Sequence, residues 1–154
     1  MAADLRPADD ASIPADERLY IRIYPSVDAL VAVGDGTFRP NSGATKGRNR
    51  YEPVSVDLGS VCTPEETQHR GTDGNFHVAI VTAGQLREIG LRVKRDPLQG
   101  VNPNPAHALV IGKKENENGD LSGGLTDGEN RRFAGAARAI LTVAPIELIE
   151  GGRR

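Results

Sequence analysis

The chain has 154 residues, enough for one hydrophobic core and too few for two ordinary domains. Its 19 basic and 21 acidic residues nearly cancel, at a formal charge of -2, so no net field draws it onto a phosphate backbone or an anionic membrane. A single cysteine, Cys62, excludes an intramolecular disulfide, and no apolar run approaches the roughly 20 residues of a membrane-spanning helix.

Residues 1–17 are rich in Ala, Asp and Pro and lack the apolar run of a secretory signal, so the composition predicts a disordered leader and a cytoplasmic location. Order is expected from Arg18, where Leu19, Ile21 and Ile23 alternate with Tyr20, Arg22 and Tyr24 at the period of a half-buried strand. Val27 to Val33 fits a short helix or a strand equally, and Asp35-Gly36 supplies a turn. Phe38 to Arg50 reads as loop, after which Val54, Val56 and Leu58 alternate as a second strand.

Three helix starts share one device, in which a Thr side chain accepts from the third helical N–H while a Glu or Gln there reaches back. They are Thr63-Pro64-Glu65-Glu66, Thr82-Ala83-Gly84-Gln85 and Thr126-Asp127-Gly128-Glu129. The first helix should stop near Gly71, and the second should follow a strand from Phe76 to Val81 and end at Gly90 in a left-handed cap. Leu91 and Val93 suggest a brief strand before Pro97, and His107 to Gly112 another, with a polar, mobile excursion from Lys113 to Gly124. The last helix should carry Phe133, Ala136, Ala137, Ile140 and Leu141 on one stripe and close at Pro145, with an edge strand from Ile146 to Ile149 and a frayed tail over 151–154. Residues 18–150 thus read as a single α+β domain, with a mixed sheet of about five strands and two or three short helices.

Arg22-Ile23-Tyr24-Pro25-Ser26, Ser55-Val56-Asp57, Thr63-Pro64-Glu65-Glu66, Gly90-Leu91, Asp96-Pro97-Leu98 and Asn104-Pro105-Ala106-His107-Ala108 occur in this order. In that order they resemble a group of small uncharacterised bacterial proteins, over about Leu19 to Gly112. The resemblance implies a shared fold and no particular chemistry. Members of the group carry His where Tyr24 stands, and Ser-Ser-Ala-Phe where this chain has Asn41-Ser42-Gly43-Ala44.

His69, His77 and His107 lie far apart without zinc-ligand spacing, so neither a metal nor another cofactor is expected. Gly34-Asp35-Gly36 and Gly43 to Gly47 lack the glycine and lysine pattern of nucleotide loops, although Arg39, Lys46, Arg48 and Arg50 offer a phosphate clamp as the alternative to a solvated basic loop.

The most suggestive set is Arg22 with Ser55 and Asp57, each pointing away from the apolar face of its strand. An arginine on an early strand, a serine on a middle one and a later acid resemble the layout of ADP-ribosyltransferase-like folds. That resemblance implies an NAD phosphate on the arginine and leaves Glu147 as the late acid. The alternative is an exposed face on which Arg22 stacks between Tyr20 and Tyr24. As a general base, His107 needs a partner such as Asp57 or Asp96 to fix its tautomer; as a structural residue it bonds a loop carbonyl.

Two functional readings result. The first is a non-catalytic accessory or interaction domain of the bacterial cytoplasm whose partner is another protein, with no membrane and with nucleic acid disfavoured by charge. The second is a small enzyme acting on a nucleotide or nucleic-acid phosphate, which requires Arg22, Ser55, Asp57 and His107 to converge on one cleft.

Overall fold

A computed structural model describes residues 3–26, 28–45, 49–70 and 75–143 of the chain. In chain order these form β1 (Arg18–Ile23), β2 (Leu30–Gly34), β3 (Thr37–Pro40), a 3-10 turn (Ser42–Thr45), β4 (Val54–Leu58), α1 (Pro64–Gln68), β5 (His77–Thr82), α2 (Ala83–Ile89), β6 (Arg92–Arg95), β7 (His107–Ile111), α3 (Asp127–Ala136) and β8 (Arg138–Leu141). Six strands make one sheet in the order β6-β7-β4-β1-β5-β8, and β2 with β3 makes a separate hairpin. The α+β class is as expected. The sheet has six strands rather than about five, and every described pairing is antiparallel where a mixed sheet was expected.

Strand alternation decides which face is dry. Leu19, Ile21 and Ile23 of β1 lie beside Val56 and Leu58 of β4, Ala79 and Val81 of β5, and Ala108 and Val110 of β7, under Leu86 of α2 and Phe133 of α3. The opposite face is closed only in part, where Tyr20, Val78, Cys62 and Ala106 form a small second cluster. Among the described residues no helix is long and apolar enough to cross a membrane.

All three capping boxes form, and Gly90 closes α2 in the left-handed conformation, at φ 98°. Asp35 and Gly36 both have positive φ, the pattern of a tight two-residue hairpin turn, so the expected loop at Phe38 begins as the second strand of that hairpin.

Two expectations are corrected. Residues 3–17 are not a disordered leader: Ile13 is 1% exposed in the main core, and the Asp10 N–H donates to the Val93 carbonyl on the β6 edge. Arg87 donates to the carbonyls of Asp10 and Ile13, and Arg92 to that of Pro7, so side chains satisfy backbone groups that composition alone leaves unmatched. The last helix is also shorter than its apolar stripe. The chain turns extended at Ala137, and Arg138–Leu141 pairs with β5, whose edge groups would otherwise lack partners. The edge strand at Ile146 to Ile149, the tail over 151–154 and the stop near Gly71 lie outside the described residues.

Candidate functional site

The site begins with a break in the sheet. β1 stays paired with β5 from Arg18–Thr82 to Ile23–His77, and β4 stays paired with β7 from Val54–Val110 to Asp57–His107. Between β1 and β4, by contrast, the described partners are Leu19–Leu58 and Tyr20–Asp57 alone. Beyond them a cleft of about 600 Å³ opens, with Arg22 and Ser55 on its two sides and His107 at its wall. Alternation puts Arg22 two residues beyond Tyr20, and Ser55 two residues before Asp57, on the face away from the main core.

His107 is the best-defined group there, 8% exposed. Its Nδ1 lies 2.8 Å from the Asp96 carbonyl oxygen and 3.2 Å from the Asp96 carboxylate. A carbonyl oxygen can only accept, so Nδ1 carries a proton, and in the neutral ring Nε2 then presents its lone pair. That lone pair faces the Ser55 hydroxyl at 3.0 Å. The Asp96 N–H in turn donates to the His107 carbonyl, and Pro97 follows at once, which fixes the orienting residue to the strand it serves. Serine, imidazole and aspartate thus form a chain of three whose last member sets the tautomer of the second.

Asp57 stands behind the cleft instead of in it. One carboxylate oxygen accepts from Thr67 at 2.7 Å and from Arg70 Nε at 2.6 Å, and the other from Asn104 at 2.8 Å. Burial pushes the carboxyl up, but the hydrogen bonds from Arg70, Asn104 and Thr67 outweigh it and hold it below the ordinary carboxylate value. Through them Asp57 holds Arg70 and Asn104, both of which line the cleft. Asn104 also pins its own loop, accepting from the Ala106 N–H while Leu98 and Asn104 bridge in register.

At the other side, the Arg22 guanidinium lies 5.4 Å from the centre of the Phe76 ring, and Tyr24 meets that ring edge-on at 6.4 Å. The expected stack of Arg22 between Tyr20 and Tyr24 is replaced, because Tyr20 is buried in the small cluster. The basic-loop clamp does not assemble among the described residues. Arg39 donates to the Pro40 carbonyl away from the cleft, and Arg50 covers the Tyr51 ring beside a separate cavity of about 260 Å³. Lys46, Arg48 and Glu147 lie outside the described residues.

The structure therefore brings Arg22, Ser55 and His107 together and supports them with Asp57. Arg70 and Phe76 also line this cleft and were not among the candidate residues read from the sequence. Arg70 lies just past the end of α1 and Phe76 just before β5, where neither helical spacing nor strand alternation assigns a face. The chain matches no protein-family model, no curated protein and no solved structure.

Proposed function

We propose that the chain is a small enzyme acting on a nucleotide or nucleic-acid phosphate, with Ser55 as nucleophile, His107 as its general base and Arg22 and Arg70 receiving the anion. The observation that carries this is the 3.0 Å contact between Ser55 Oγ and a His107 Nε2 left free to accept by the bond from Nδ1 to Asp96. In the reaction, Nε2 takes the Ser55 proton as Oγ bonds to phosphorus. The leaving oxygen departs on the side opposite Oγ with the electrons of the broken P–O bond and takes its proton from solvent; water then attacks phosphorus from that side, gives up a proton to solvent and breaks the Oγ–P bond, and Oγ takes its proton back from His107. Two guanidiniums line the same cleft, Arg22 across from Ser55 and Arg70 behind it on Asp57, and they offset the charge that gathers on the phosphoryl oxygens. An ADP-ribosyltransferase-like version rests on Arg22 and Ser55 sharing this cleft.

The test is turnover of p-nitrophenyl phosphate, bis(p-nitrophenyl) phosphate and a panel of nucleotides by the full chain. Ser55→Ala and His107→Ala should each lower kcat by about 10²- to 10⁴-fold, with the Ser55→Ala melting temperature unchanged. A wild-type chain without turnover, or two variants with undiminished turnover, overturns the reading.

One observation favours the alternative, a non-catalytic interaction domain of the bacterial cytoplasm. On the loop between Leu98 and Asn104, Val101 is 97% exposed and Leu98 is 42% exposed. If that loop is the working surface, Val101→Asp abolishes function in the cell and Ser55→Ala does not.

A further inference from the structure

A second cavity of about 390 Å³ adjoins the cleft and shares Tyr24 and Ala44 with it. Its other polar walls are Ser26, Asp28 and Asn41. Tyr24 is 68% exposed, yet its ring is held by the edge-on contact with Phe76, so an aromatic surface stands fixed and open between the two spaces. The size lies at the low end for ligand pockets, which suits one ring system and not a whole nucleotide.

The polar groups of this cavity divide into spent and unspent. The Asn41 amide donates to the Asp28 carbonyl and its oxygen accepts from the Gly43 N–H, so Asn41 holds the wall together. Among the described residues the Asp28 carboxylate makes no hydrogen bond or ion pair, and it is exposed beside the cavity. An ionised carboxylate only accepts, and its two oxygens match two adjacent N–H donors. Among the bases, guanine alone offers such a pair, N1–H beside the N2 amino group.

We infer that this cavity is a guanine subsite, with the base stacked on Tyr24 and its N1–H and N2 amino edge on Asp28. The attached phosphate then reaches Arg22 and Arg70 in the main cleft. The inference rests on the proposed phosphate chemistry for the placement of the phosphate; the base subsite itself stands on Tyr24 and Asp28. Free nucleotides and the guanine end of a nucleic acid share this recognition.

The experiment uses calorimetry on full-length Ser55→Ala, which separates binding from turnover. GMP should bind about tenfold or more tightly than IMP, which lacks the N2 amino group, and than AMP. Tyr24→Ala in the same background should weaken GMP about tenfold. Asp28→Asn replaces one acceptor by a donor, so it should lose the preference for GMP and gain affinity for XMP, whose C2 oxygen accepts. An oligonucleotide ending in guanine, set against GMP, assigns the source: tighter binding of the oligonucleotide points to a nucleic-acid end, equal or weaker binding to a free nucleotide. Equal affinity for GMP, IMP and AMP, or an Asp28→Asn chain that keeps its GMP preference, overturns the subsite even if Ser55-dependent turnover of simple phosphate esters persists. Guanine preference in a wild-type chain without turnover supports the subsite and overturns the enzyme reading instead.

Discussion

On one face of the six-stranded sheet, Leu19, Ile21, Val56 and Val110 meet Leu86 and Phe133 in a dry layer, while on the other Arg22, Ser55 and His107 surround an open cleft. The two sets alternate along the same three strands, so the packing of one fixes the position of the other. A slip of one residue would carry every cleft side chain into the core, which is why the register that buries Val56 opposite Ala108 also sets His107 opposite Asp57. The apolar face therefore works as the ruler for the polar one. The polar face needs something more, the parting of β1 from β4 and a proline-set loop that brings Asp96 behind His107.

The largest effect expected is on the dry face. Phe133 is 0% exposed, and Phe133→Ala should cost about 3–5 kcal/mol in urea denaturation, a large part of the stability of a small domain. Its folded fraction should keep the turnover of the wild type. Loss of turnover in fully folded Phe133→Ala molecules would break the separation of the two faces.

Asp57 sits at the junction and should sharpen the comparison. Asp57→Ala strands Arg70, Asn104 and Thr67 at once, at a cost of about 2 kcal/mol. Because Asp57 acts through Arg70 and Asn104, KM for an anionic substrate should rise more than kcat falls. An equal fall in kcat with KM unchanged would move Asp57 from the positioning layer into the chemistry.

These two residues also mark what was legible in the sequence. Phe133 could be assigned to the core from its spacing, and the three capping boxes announced every described helix start, because both signals are local. Arg22, Ser55 and His107 could be placed outside the core by alternation. Their convergence was not legible. It depends on β1 neighbouring β4 and β4 neighbouring β7, a strand order that no local pattern encodes. Asp57 looked like a partner for chemistry, since nothing in Ser55-Val56-Asp57 reveals that Thr67, Arg70 and Asn104 occupy its oxygens. The N-terminal strap and β8 escaped for a related reason: both are held by the unpaired edge of a sheet, and an edge exists only once the sheet is assembled.

The smallest expected effect separates the two buried or half-buried histidines. His77 is 0% exposed; its Nδ1 accepts from the Val143 N–H, and its Nε2 has no partner among the described residues. Burial lowers its pKa below the ordinary value of 6.5, so the native chain keeps the ring neutral where the unfolded chain would protonate it. The unfolded state then binds more protons below that value, and stability must fall as the pH drops through it, whereas above it the ring contributes no pH dependence. Asp57 and Asp10, with carboxyls held below 3.8, act in a separate window, since their stabilisation is present above that value and is lost only below it. Urea midpoints measured between about pH 7.5 and about pH 5 should therefore decline for the wild type and stay flatter for His77→Gln. The same slope in both chains would show that His77 is not the titrating group, and that its bond to Val143 serves the strand pairing alone.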